Sequence, residues 1–304
     1  MTSLASTCPG SHPHVVDLPY RLSSWALDDP RNAHLWTDAA GHLAAWAAVQ
    51  TPFWEIDCVC RPDLEASLHR ASLAWALERA REALKEGSGH AEWYLTVFSE
   101  DADRRRDLEA MGFANQADQG EDSWSKVLFR QSASSTVSQQ SLPPGFSIRS
   151  LRGESEVEAY TELHRAAFGT RNMTAAWRMR TLQQPAYVAD LDLVAVAPDG
   201  SLAGFCVGWL GRLGEAVTGQ IEPMGVLDAH RQLGLGKALI AEQLCRMCDH
   251  GARHVLVETD NTRHAALGLY PAAGFTAWRE MLVYGIDLSS SAARRLTDGV
   301  KAQS

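Results

Sequence analysis

The sequence predicts an α/β chain of the α+β kind: two tandem copies of one domain, each a mixed, mostly antiparallel sheet flanked by helices. Three observations predict it. An uncharged run, "QSASSTVSQQSLPP" (131–144), has the Ser, Gln, Thr and Pro content of a linker and divides the chain. On both sides of it the same closing pattern recurs. "WYLTVFSEDADRRRDLEAMGF" (93–113) and "HVLVETDNTRHAALGLYPAAGF" (254–275) each read as strand, turn, helix and Gly-Phe stop. Ahead of each lie, in one order, a hairpin, a strand and a long amphipathic helix. The expected units are residues 1–130, a linker at 131–144, and residues 145–304.

Taken in order, the N-terminal unit opens its sheet with "HLWTDAAGHLAAWAAVQ" (34–50), a hairpin turning at Ala-Gly. "PFWEIDCVC" (52–60) is the next strand, and a helix runs from about Asp63 to Leu84. In the C-terminal unit the hairpin is "LDLVAVAPDGSLAGFCVGWLG" (191–211), turning at Asp-Gly. "GQIEPMGV" (219–226) is the strand, and the helix runs from about Leu235 to His250. The copies differ where chemistry would sit. Leu68 and Arg70 stand opposite Gly234 and Gly236, Leu108 stands opposite Tyr270, and no glycine occurs from His42 to Glu86. The N-terminal unit therefore reads as a degenerate, truncated copy with a supporting role.

Composition narrows the function classes. At 45% apolar and 21% charged residues the chain is a folded globular protein. No run approaches the ~18 apolar residues of a membrane span, and "MTSLASTCPGSHPH" lacks a signal core, so the expected location is cytoplasmic. A net charge of -9 argues against a nucleic-acid surface. The six cysteines are expected to be free. Cys58 and Cys60 lie on a strand, Cys245 and Cys248 on a helix, without the turns that let cysteine pairs converge on zinc, and no metal is expected.

The junction "MGVLDAHRQLGLGKALIAEQL" (224–244) carries the chemistry. A strand feeds through Arg231, Gln232, Leu233, Gly234, Leu235, Gly236 and Lys237 into a helix, whose start offers unpaired N–H groups and the positive end of its dipole. Glycines there admit an anion, and Arg231 and Lys237 add charge at both ends of the turn, which fits a pyrophosphate. Other phosphate motifs fit poorly. A nucleotide-triphosphatase loop would need Gly where Arg231 stands and Ser or Thr where Ala238 stands, and a dinucleotide fingerprint would need a small residue at Leu239.

Residues 231 to 236 match Q/R-x-x-G-x-G/A, and "LGLYPAAGF" carries a Leu-Tyr pair before Gly-Phe. In both, the chain resembles the GNAT superfamily of N-acetyltransferases, most of all its tandem type with one working and one degenerate domain, as in the mycothiol synthase group. The resemblance implies acetyl-CoA as acyl donor in a cleft where two strands splay, with the backbone of Met224, Gly225 and Val226 meeting the pantetheine arm. Pro223, which has no N–H for a sheet ladder, suits such a splay. It further implies Glu222 as the base that takes the ammonium proton and Tyr270 as the acid for the departing thiolate. The family's Asn seven residues before this Tyr is here Arg263, and Asn261 stands nearby as a substitute or as a helix cap. Pro271, next to Tyr270, should loosen its helix.

The acceptor is expected to be a small-molecule or peptide amine, acetylated directly, since none of these cleft residues is Cys or Ser. Cys206 on the neighbouring strand is the nearest thiol. Phe168, Arg171 and Trp177 fall in the segment that walls the acceptor pocket in this family, while helical spacing favours core packing over pocket lining for the two aromatics. His164, His230, His250, His254 and His264 are expected on surfaces or caps. Two rival readings remain: a non-catalytic CoA-binding or scaffold protein, and an acyltransferase for a longer acyl-CoA with a wider cleft around Met224 and Trp209.

Overall fold

The structure, a computed structural model, describes residues 1–8, 10, 12–64, 66–87, 89–133 and 141–289. In the N-terminal half these are strands β1 (Ala33–Thr37), β2 (Leu43–Gln50), β3 (Glu55–Cys60), β4 (Glu92–Phe98), β5 (Ala114–Asn115) and β6 (Ser125–Ser132), with helices α1 (Thr2–Thr7), α2 (Leu18–Leu22), α3 (Ala66–Lys85) and α4 (Ala102–Ala110). In the C-terminal half they are β7 (Ser147–Ser150), β8 (Asp192–Val196), β9 (Leu202–Leu213), β10 (Ala216–Val226), β11 (His254–Asp260) and β12 (Thr276–Asp287), with α5 (Val157–Phe168), α6 (Ala175–Leu182), α7 (Leu235–Asp249) and α8 (His264–Ala272). Among the described residues no helix is long and apolar enough to cross a membrane.

All twelve strands join one mixed, mostly antiparallel sheet, in the order β1-β2-β3-β4-β12-β6-β11-β10-β9-β8-β7 with β5 on β12. The halves exchange their last long strands. β6 lies between β11 and β12, and β12 lies between β4 and β6. Gln131 and Ser132, expected at the start of the linker, are therefore the end of a strand, paired with Val255 and His254. Residues 134–140 of that run lie outside the described residues. A ladder satisfies every peptide group along its length, which outweighs the weak strand propensity of Gln and Ser.

The duplication extends to individual hydrogen bonds. Gly112 and Gly274 both have positive φ, and the residue after each closes the helix onto the carbonyl five positions back, Phe113 to Leu108 and Phe275 to Tyr270, both at 3.0 Å. This is the glycine stop that left-handed backbone permits. Pro271 sits inside the last turn of α8, and the helix ends one residue later, so the missing N–H falls where few bonds remain to be made. The halves differ at their central strands. β3 and β4 share a single residue pair, Glu55 with Tyr94, and Arg104 Nη2 donates to the Cys58 carbonyl at 2.7 Å beside it.

Where the C-terminal half has α5 and α6, the N-terminal half has a strap, residues 12–24, that crosses to its neighbour. Tyr20 stacks on Trp177 at 5.4 Å, and Ser23 Oγ lies 3.0 Å from Thr181 Oγ1. Arg180 Nε donates to the Ser23 carbonyl at 2.9 Å. Beneath, Arg178 and Asp192 are fully buried and hydrogen-bonded, with Tyr187 donating to Asp192 at 2.7 Å and the guanidinium 3.6 Å above the Tyr160 ring. Breaking such a pair from one side strands a charge. Asp192→Ala is expected to destabilise the protein by about 3–5 kcal/mol, and Arg178→Met with Asp192→Leu by less, as read from urea unfolding. Equal losses would mean the pair is not held as a unit.

Candidate active site

β10 and β11 run parallel from Thr218–His254 to Ile221–Val257 and then separate. At the same place the register of β10 against β9 shifts between Ile221 and Met224, around Pro223. A residue without an N–H inside a long strand is tolerated at such an irregularity. Beyond it Met224, Gly225 and Val226 still pair with Cys206, Phe205 and Gly204 of β9, so their other edge faces the gap that β11 has left. Gly225 is required by packing. A Cβ there would lie 2.8 Å from the Phe205 ring and 3.2 Å from Ala167, so α5 rests directly on this strand.

The loop after β10 reaches α7 through two left-handed residues, Gln232 (φ 61) and Gly234 (φ 86), and Gly234 caps the helix. Ala238 N–H finds the Gly234 carbonyl at 3.1 Å, leaving the N–H groups of Leu235, Gly236 and Lys237 at the open helix start. A Cβ on Gly234 would meet nothing within 4 Å, so the cradle is open. Gly236 differs. Its Cβ would lie 3.3 Å from Leu269 and 3.5 Å from Met224, so this glycine lets α7 approach α8 and β10. Arg231 is engaged in structure as well as exposed: Nη1 pairs with Asp228 at 2.8 Å, and Nε and Nη2 donate to the Val226 and Ala167 carbonyls. Leu233 and Lys237 are exposed.

Glu222 stands where the strands part. Its carbonyl accepts from Trp209 Nε1 at 2.6 Å, and the side chain keeps part of its surface accessible. Burial, reinforced by the Asp17 and Glu258 carboxylates, raises its pKa to about 8, with His14 and Lys126 opposing. Tyr270 is 7% exposed, from α8, and burial with the fields of Glu222 and Cys206 raises its pKa, so the phenol holds its proton. Cys206 is buried in the same apolar cluster as Tyr270, and burial drives its thiol pKa up, which removes the thiolate a covalent route would need. Trp209 is fully buried, and Met224 is half-buried.

The structure places the remaining candidates. Asn261 Oδ1 accepts from the Ser125 N–H at 3.0 Å, and its own N–H donates to the Ser125 carbonyl, so it ties the β11–α8 turn to β6. Trp177 is core, 1% exposed. His164 is not a surface residue: it is buried, stacked on Phe205 at 5.4 Å, and burial lowers its pKa to about 3. Phe168 packs against His164 and Phe205, with Arg263 5.8 Å from its ring. Arg171 lines a shallow depression outside α5 with Glu162 and Arg165. Among the described residues no group of three or more His, Cys, Asp or Glu could hold a metal ion.

The sequence reading missed the strap. His12, His14, Asp17 and Arg21 are all buried, joined to Asp57, Glu55, Glu258 and Lys126 in a charged cluster beside Glu222. The available signal was "SHPHVVDLPYR", ionisable residues among apolar ones in a segment with no helical or strand period.

A splayed sheet beside a glycine-capped helix start, in a chain whose two halves repeat one order of elements, is the architecture of the tandem GNAT fold. A GCN5-related N-acetyltransferase from Sphaerobacter thermophilus shares it with a TM-score of 0.63 at 20% identity, over 85% of this chain and 81% of that one. So does a tandem GNAT protein from the clavulanic acid biosynthesis pathway, with a TM-score of 0.61 at 18% identity, over 86% and 85%. Residues 156–275 match the model of the Acetyltransferase (GNAT) family. It is 31% identical over 163 residues to the mycothiol acetyltransferase of Salinispora tropica, covering 51% of this chain and 52% of the relative. To the mycothiol acetyltransferase of an Arthrobacter species it is 30% identical over 152 residues, 47% and 46% respectively. The chain thus spans about half the length of the curated relatives it matches.

Proposed function

We propose that the protein is an acetyl-CoA-dependent N-acetyltransferase, with its active site in the C-terminal half and a small-molecule or peptide amine as acceptor. The observation that carries this reading is the meeting of Glu222, Tyr270 and the open Gly234 helix start at one strand splay. The residues suit the donor. The N–H groups of Leu235, Gly236 and Lys237, with the Lys237 charge, would hold a pyrophosphate, and the free edge of Met224, Gly225 and Val226 would pair the pantetheine amides. When bound, acetyl-CoA supplies an activated acyl group. Glu222 takes a proton from the acceptor ammonium, and Tyr270 holds one ready for the departing sulfur. The mycothiol acetyltransferase relatives make a small amine the first acceptor class to screen.

The N-terminal half fits a supporting role. Arg104 bridges to β3 where its sheet splays, Leu108 holds the place of Tyr270, and α3 begins without glycine. The free cysteines suit a reducing, cytoplasmic setting.

Two measurements test the reading. Calorimetric titration is expected to show acetyl-CoA binding to the parent protein, and its absence from a folded protein would refute the proposal. With an accepted amine, kcat/KM should rise with pH to a limb near 8, because Glu222 must lose its proton to act as base and its pKa is about 8. A profile flat from about pH 6 to 9 would remove Glu222 from the role.

A further inference from the structure

The strap brings to the Glu222 side of the sheet a pair that the chemistry above does not use. His14 is 4% exposed and Asp17 1%. His14 Nδ1 lies 3.1 Å from Asp17 Oδ2 and 3.7 Å from Glu258 Oε2. Two carboxylates at Nδ1 assign the proton to that nitrogen and leave Nε2 as the free lone pair. Nε2 is buried and has no hydrogen-bond partner among the described residues, and Asp17 Oδ1 has none either. In a closed core an unpartnered polar atom is costly, so its persistence calls for a use.

Placement supplies one. Glu222 and Glu258 are the next residues after the last β10–β11 pair, Ile221–Val257. Side chains alternate along a strand, so both project on the face of Gln220 and Leu256, the face on which His12, Pro13, Val15 and Val16 enclose a small cavity. His14 reaches Glu258 from that side, and Glu258 and Glu222 occupy equivalent positions just beyond the last β10–β11 pair.

We propose that His14, held by Asp17 and Glu258, is the group through which Glu222 exchanges its proton, which makes the N-terminal strap part of the active site of the C-terminal half. The inference rests on the acetyltransferase reading. Glu222 takes one proton from the acceptor ammonium: an N–H bond breaks and an O–H bond forms. A bridging water takes that proton and gives one of its own to Nε2, returning Glu222 to a carboxylate and leaving an imidazolium between Asp17 and Glu258, from which bulk water removes the proton. The second amine proton replaces the one Tyr270 gives to the departing sulfur. Around Glu222 stand His14 and Asp17 from the strap, Glu258 from β11, Lys126 from β6, and the hydroxyls of Tyr20, Tyr160 and Tyr270. Around His14 stand Asp17, Glu258, His12 and Arg21. Burial and Arg21 lower the His14 pKa, but Glu258 and Asp17 outweigh them and raise it overall.

The test needs neither donor nor acceptor. Nitrogen NMR of the full chain, labelled at histidine, follows His14 through a pH titration in the parent and in Glu222→Gln, with the His14 signals assigned by their loss in His14→Gln. If that variant does not fold, the signals are assigned by their displacement in Asp17→Asn. The expected result is an Nδ1–H tautomer whose signals carry an inflection near pH 8 in the parent, where Glu222 loses its proton, and lose that inflection in Glu222→Gln. A titration unchanged in Glu222→Gln, or an Nε2–H tautomer, would overturn the proposal. Kinetics supply the second reading. Asp17→Asn should lower kcat about tenfold or more and displace the acid limb, with acetyl-CoA affinity unchanged. A loss of affinity with an unmoved limb would mean a structural role and would also overturn it. Failure of the acetyltransferase reading looks different, because the parent itself would then not bind acetyl-CoA, whatever His14 does.

Discussion

Gly234→Val is expected to weaken acetyl-CoA binding at least about a hundredfold, the equivalent of losing one or two charge-assisted hydrogen bonds. Two effects act together. At φ 86 a β-branched residue is held in left-handed backbone, where L-residues are disfavoured by about 1–2 kcal/mol. Its side chain would also enter the open space in front of the Leu235, Gly236 and Lys237 N–H groups. Gly234→Asn separates the causes, because Asn tolerates left-handed backbone while still carrying a side chain. Calorimetry should find binding weakened in both variants, with folding disturbed in the valine variant alone. Normal affinity in Gly234→Val would place the anion elsewhere. Gly236→Val would be a poorer test, since its added atoms press on Leu269 and Met224 and disturb α7 itself.

Glu222→Gln is expected to lower turnover by about two to four orders of magnitude while acetyl-CoA still binds, since it removes a base and keeps the shape. It should also stabilise the fold at high pH. In the native protein Glu222 holds its proton up to about pH 8, well above the ordinary carboxylate range near 4.5. Between those values the native state binds more protons than the unfolded one, so stability falls as pH rises through the window and the charged form is penalised above it. Glutamine has no such charge. The variant should therefore exceed the parent in stability by about 1–3 kcal/mol near pH 9 and match it near pH 4, as read from urea unfolding at both. A variant no more stable at either pH would mean that Glu222 is well solvated.

The elements of each half were legible because each is set by local pattern: the two hairpins by their turn residues, the long helices by their apolar period, and the repeat by its Gly-Phe stops. The strand exchange was not, because β6 and β12 have the composition of strands in either half and their neighbours are chosen by long-range pairing. At the candidate site, Glu222, Tyr270 and the glycine loop stood out by chemistry at unusual backbone positions. Gly236 and Arg231 were read as anion contacts, and what their atoms touch, Leu269 in one case and the Val226 and Ala167 carbonyls in the other, belongs to tertiary packing that spacing does not carry. His14 and Asp17 lie far from Glu258 in sequence, and His14 comes within 3.7 Å of it because the strap crosses between the halves.

Thiol release from acetyl-CoA, measured with a panel of small amines for the parent and Glu222→Gln side by side, tests the central claim most directly. The account predicts amine-dependent release by the parent and almost none by the variant, although both bind acetyl-CoA. Equal release by the two, or no amine-dependent release from a parent that binds acetyl-CoA, would contradict it.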